Sequence, residues 1–201
     1  MSELTVLQGV RLKGRVSEEG LAATLGEDPA DIAETLAQLT AAGLLVEGKT
    51  LRISPEGRER LNALLAEERS GVDQSVLAKA YDEFRAVNNE FKALVSDWQI
   101  KDGQPNSHDD PEYDGAVLKR LDNVHQQVSP IVATVTELLP RLSAYGAKLK
   151  SALTKVQAGD STWLARPIID SYHTVWFELH EELIVASGLT REEEARAGHA
   201  T

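Results

Sequence analysis

Residues 170 to 183 read DSYHTVWFELHEEL and gather Tyr172, His173, Trp176, Phe177 and His180 within nine positions. Imidazoles can ligate a metal, move protons or hydrogen-bond a ligand, and Trp and Tyr supply large contact area at little entropic cost. At helical spacing, Ile169, His173, Trp176, His180 and Leu183 share one face, so both histidines are expected to look inward. Two turns separate His173 from His180, about 10 Å along a helix axis. One metal ion, with ligand bonds near 2 Å, cannot take both. Asp122 and His125 lie three apart on another apolar helix and would be the natural complement in a mixed site. The Glu-x-x-His pairs of a di-iron bundle are absent, and no metal or other cofactor is expected. The plainer expectation is a core of hydrogen-bonded histidines. Beside it stands a pocket or partner surface built from Trp98, His125, Tyr172, His173, Trp176, Phe177 and His180. Phe177 projects about 100° from Trp176 and is expected to be partly exposed. Glu178, Glu181 and Glu182 read as a solvated face.

No catalytic constellation accompanies these residues. The chain has no Gly-rich phosphate loop, no nucleophile elbow and no cysteine, hence no thiolate, disulfide or Cys-ligated zinc. A formal charge of −11 over 201 residues disfavours nonspecific attraction to nucleic acid or anionic lipid. The opening MSELTVLQGVRLKGRV lacks the apolar core of a secretory signal, and no run is long enough for a membrane span. A cytoplasmic protein without membrane association is expected.

The elements that carry these residues fall into two domains, 1–69 and 76–198, joined by the polar connector 70–75. In the second, Leu77, Tyr81, Phe84, Phe91, Leu94, Val95 and Trp98 mark one helix face ending near Gly103, with Asn88 and Asn89 interrupting it. Val117, Leu121, Val124, Val128, Ile131, Val135 and Leu138 recur in alternating steps of four and three, the pattern of a helix-bundle seam. Pro130 is expected to kink that helix, Pro140 to start the next, and Pro167 to open the most apolar one. TREEEARAG reads as a short charged terminal helix. Short connections between long helices predict an antiparallel bundle.

The first domain changes period along its length. Ser17 caps SEEGLAATLG, and Asp28 with Pro29 opens a helix carrying Ile32, Leu36 and Leu39. LLVEGKTLRIS predicts a short hairpin, and Ser54 with Pro55 starts a further helix. This order is that of a winged helix, so the fold class is mainly α: an N-terminal winged helix with a small β-hairpin wing and a C-terminal helical bundle. DIAETLAQLTAAGLLV followed by LRISPEGRERL resembles the winged-helix domains of bacterial MarR-like regulators. That resemblance implies a transcriptional regulator whose second helix, DPADIAETLAQLTAAGLL, enters the major groove.

Yet no Lys, Arg or His occurs between Val16 and Gly48, a window with seven acidic side chains. Phosphate contacts need cations, and base readout usually needs Arg, Lys, Asn or Gln. The residues left for DNA are Arg11, Lys13, Arg15, Gln38, Lys49 and Arg52, and only wing-led contact is physically reasonable. The acidic helix disfavours DNA and favours a protein partner or a homodimer. A second resemblance bears on this choice. LTVLQGVRLKGRVSEEGLAATLG, LVSDWQIKDG and DSTWLARPIIDSYHTVWFELHEEL look like segments of accessory modules in actinobacterial phosphoenolpyruvate-utilising proteins, themselves similar to pyruvate phosphate dikinases. It implies a noncatalytic subunit of a phosphotransferase complex. His173 lies in an apolar helix and not in a phosphohistidine loop, so that role is not transferred to it. The two expectations are thus a winged-helix regulatory or adaptor protein and, alternatively, such an accessory subunit.

Overall fold

The structure, a computed structural model, describes residues 1–199. The chain divides into two compact units, with the boundary between Gly71 and Val72.

The first unit begins with α1 (Glu3–Lys13), α2 (Glu18–Leu25) and α3 (Pro29–Ala41). It continues through β1 (Leu45–Val46), β2 (Arg52–Ile53) and α4 (Pro55–Ser70). Each start has a local cause. Ser17 Oγ accepts from Gly20 N, Asp28 Oδ1 from Ala30 N and Ser54 Oγ from Gly57 N, satisfying amides that a helix leaves open at its first turn. Pro29 and Pro55 occupy first positions, where a missing N–H costs nothing. β1 and β2 pair antiparallel, Leu45 opposite Ile53, and a bridge from Val16 to Leu51 adds a third extended segment. The result is a winged helix. Val6, Leu7, Val10, Leu21, Ile32, Leu36, Leu61 and Leu65 fill its core.

The second unit is a four-helix bundle of α5 (Gln74–Gln99), α6 (Pro111–Leu138), α7 (Ala144–Gln157) and α9 (Tyr172–Ala186). β3 (Ile100–Lys101), β4 (Gln104–Pro105), α8 (Thr162–Ala165) and α10 (Arg191–Arg196) complete it. Cross-contacts fix every neighbour as antiparallel. Asp97 and Glu90 of α5 meet Tyr113 and Gln127 of α6, and Arg141 and Lys148 meet Glu182 and Asp170. Tyr81 and Phe91 of α5 meet His180 and Tyr172 of α9, closing the ring of helices. The seam residues of α6 from Val117 to Val135 are buried, and Leu138 is half-buried. No helix of the described residues is long and apolar enough to cross a membrane.

Several boundaries differ from expectation. α5 stops at Gln99, and a hairpin follows in which Asp102 and Gly103 both take positive φ, the geometry that Asp-Gly favours in a two-residue turn. α6 runs through Pro130, as expected, and Ser129 Oγ donates to the His125 carbonyl on the adjacent turn. Pro140 opens only a single 3₁₀ turn, residues Pro140–Leu142, and α7 begins at Ala144. Pro167 does not open α9: Ile168 has a φ of 76°, which no α-helix tolerates, and Ser171 caps the helix instead through Thr174 N. The connector is also shorter than residues 70–75, because α4 extends to Ser70 and Asp73 already caps α5.

One close approach holds the wing against α4. A Cβ built on Gly57 would lie 2.1 Å from the Leu44 carbonyl oxygen, the same oxygen that accepts from Ser54 Oγ. Backbone atoms cannot yield as a side chain can, so Gly57→Ala should destabilise the winged helix by at least about 1–3 kcal/mol. Hydrogen exchange resolved by residue checks this: protection should fall within residues 1–71 and persist in the bundle.

Candidate functional site

α9 sits against α5 along a ladder of aromatic rings. Phe84 and Phe91 of α5 flank the Trp176 indole at centroid distances of 5.0 and 4.5 Å, and Tyr172 packs on Phe91 at 5.5 Å. Burying Trp176 obliges its N–H to find an acceptor, and Asn88 Oδ1 provides one at 2.9 Å. The other end of the Asn88 amide donates to the His199 carbonyl at 3.0 Å. Asn88 therefore does not interrupt the apolar face of α5. It is buried within that face and ties α5, α9 and the C-terminal segment together.

Below this ladder His180 enters a polar relay. Tyr81 Oη donates to Glu194 Oε2 at 2.7 Å and lies 3.2 Å from His180 Nε2. The phenol has one proton and spends it on Glu194, so His180 Nε2–H is the donor in the second bond. Arg85 adds two bonds to the Glu194 carboxylate. Burial pushes the Glu194 pKa up, but the Arg85 and Tyr81 hydrogen bonds outweigh it and leave it lowered. Burial first, and then the nearby Arg191 charge, depresses His180 to about 4, so it is neutral at neutral pH.

A cleft of about 250 Å³ opens beside the ladder. Its floor and walls include Phe91, Val95, His173, Trp176 and Phe177. Lys92, Ser96 and Gln99 of α5 form one rim, and Arg191 and His199 close the other. Every charged residue in this lining is basic, in a chain with 32 acidic and 21 basic side chains. Arg191 is compensated: it pairs with Glu181 and lies over the Phe177 ring at 4.5 Å. Phe177 is 42% exposed. His173 is half-buried, and desolvation lowers its pKa.

Of the seven residues expected to share a pocket, His173, Trp176, Phe177 and His180 line this cleft. The other three lie elsewhere. Trp98 packs against a tilted His108 ring at 4.2 Å beside a second hollow, next to Ser161 and Thr162. Tyr172 is fully buried, and its hydroxyl lies 3.2 Å from His125 Nδ1 on α6. Asp122 accepts from Gln157, its charge acts on His125 only at a distance, and among the described residues no three His, Asp or Glu side chains converge at metal-binding distance.

The glutamates of α9 correct the expectation of a solvated face. Glu178, Glu181 and Glu182 are all buried, because α7 and α10 cover the side of α9 that sequence periodicity leaves open. Glu182 pairs with Arg141 at 2.6 Å. Lys92, Ser96 and Gln99 follow Asn88 at helical steps and were legible as a stripe beside the apolar face of α5. Arg191 and His199 carry no such signal, because only the return of the chain after Gly188 brings them to the cleft.

In the first unit Lys49 and Arg52 are exposed on the wing, and Arg15 is exposed before α2. Arg11 is half-buried, and its Nε donates to the buried Gln8; Lys13 is half-buried as well. Gln38 is exposed on α3 but donates to Glu34.

Two measurements test this description. Trp176→Ala removes a fully packed indole and strands Asn88, so chemical denaturation should show a loss of about 3–5 kcal/mol. Phe177→Ser should change stability far less; an equal loss would make Phe177 core. The second concerns acid. Unfolded histidine titrates near 6.5 and folded His180 near 4, so between these values only the unfolded chain takes up the proton. Its contribution is complete above about pH 6.5, falls as pH drops and is gone below about pH 4, a change of at most about 3 kcal/mol. Urea midpoints of His180→Gln should lose that part of the slope.

Comparison of this chain with protein-family models, with curated proteins and with solved structures found no match.

Proposed function

We propose that the protein is a noncatalytic winged-helix adaptor or regulator that works mainly through protein contacts. The observation that carries this is the solvent face of α3. It presents Ala30, Ala33, Ala37 and Ala41 together with Asp31, Glu34 and Gln38, all exposed, and holds no cation. In a DNA-reading winged helix this surface would face phosphates, and here it would be repelled by them. Its small side chains let another backbone approach closely, and its carboxylates suit a partner with basic groups. A protein or a second copy of this chain fits that surface better than a duplex does.

Some weak duplex binding is compatible with the exposed wing cations. It would depend on Lys49 and Arg52 and not on residues 31 to 38. Each phosphate contact contributes about 0.9 to the salt slope, so replacing both cations by glutamine should lower the slope by about two. Gel-shift titrations against native genomic fragments, from 50 mM salt upward, read this directly. A sequence-specific complex that survives loss of both cations and is abolished by Gln38→Ala would overturn the adaptor reading. Conversely, Ala37→Arg should leave the thermal melt unchanged and disrupt association with the partner or with a second copy.

A further inference from the structure

We propose that the cleft between α5 and α9 binds a small organic monoanion with a flat apolar body, its acid group on Lys92 and His173 and its ring against Phe177. Three features of the cleft lead here. The first is the state of its two cations. Arg191 is already paired with Glu181, whereas Lys92 has no carboxylate at ion-pair distance among the described residues. One uncommitted cation matches one negative charge; a dianionic phosphate would require more. A carboxylate-free hollow on a protein of charge −11 also concentrates the little positive potential the molecule has.

The second is the hydrogen-bonding inventory. Both ends of the Asn88 amide and the Nε2 of His180 are consumed inside the protein. The His173 imidazole makes only a ring contact with Phe91 at 5.9 Å, and no hydrogen bond to it occurs among the described residues. Both it and Lys92 line the cleft, so a neutral imidazole and a cation are available to one ligand. The third is shape. Phe91, Val95, Trp176 and Phe177 provide apolar walls, and Phe177 leaves 42% of its surface uncovered. A volume of about 250 Å³ falls below the roughly 300–1,000 Å³ typical of drug-sized ligands, which suits a single ring with a short acidic arm.

The test uses the full chain, labelled for amide NMR, and three probes: benzoate, benzyl alcohol and inorganic phosphate. Benzoate should give saturable shifts confined to amides around residues 88–99, 173–180 and 191. Benzyl alcohol, which keeps the ring and loses the charge, should bind at least about tenfold more weakly, as should Lys92→Gln with benzoate. Lys92→Arg should restore the affinity, and Phe177→Ser should weaken it without lowering the melting temperature. If Lys92→Gln does not fold, the comparison of benzoate with benzyl alcohol decides alone. Absence of saturable benzoate binding overturns the proposal. So does equal affinity for benzyl alcohol, or tighter binding of phosphate at the same residues. None of these results bears on the face of α3, so the adaptor reading stands or falls separately.

Discussion

Burying α9 on nearly every side is the constraint from which the rest of the bundle follows. The helix carries His180 and three glutamates into the interior. A buried charge is tolerable only when paired, since removing it from water costs several kcal/mol. Arg141 on the turn before α7 answers Glu182, and Arg191 at the start of α10 answers Glu181. α10 thus docks because α9 requires it. Its own buried carboxylate, Glu194, is answered in turn by Arg85 and Tyr81 on α5. The electrostatic debt of one helix therefore organises two others.

The cleft is a by-product of the same arrangement. Arg191, in reaching Glu181, crosses over Phe177 and forms a wall. Asn88, in satisfying Trp176, holds the C-terminal segment through the His199 carbonyl, so that His199 joins Arg191 in the lining. What remains between them is lined by groups that the core did not consume, Lys92 and His173 above all.

The two units use charge differently. In the bundle, acidic groups are drawn inward and paired, so the cleft is left basic. In the winged helix they stay outside, on the face of α3, while the exposed cations Lys49 and Arg52 sit on the wing. The exposed face of α3 thus carries small and acidic side chains, and fold alone does not decide function.

The local structure of this protein was largely determined by its sequence. Ser17, Asp28 and Ser54 mark helix starts because their side-chain oxygens reach the open amides of the next turn, and this needs only neighbouring residues. The alternating steps of four and three along α6 dictate a bundle seam for the same reason: periodicity is a property of one helix. Phe177 was legible as exposed from its angle relative to Trp176. The tertiary structure alone decided the fate of the charged groups. Nothing within α9 distinguishes a solvated glutamate from a buried one, because burial depends on whether another helix arrives on that face. Likewise Trp98, His125 and Tyr172 have the right composition for the cleft but the wrong place along or around their helices, while Arg191 and His199 reach it only when the chain turns back. Contacts between residues a hundred positions apart, such as Tyr81 with Glu194, are set by packing, and no local pattern encodes them.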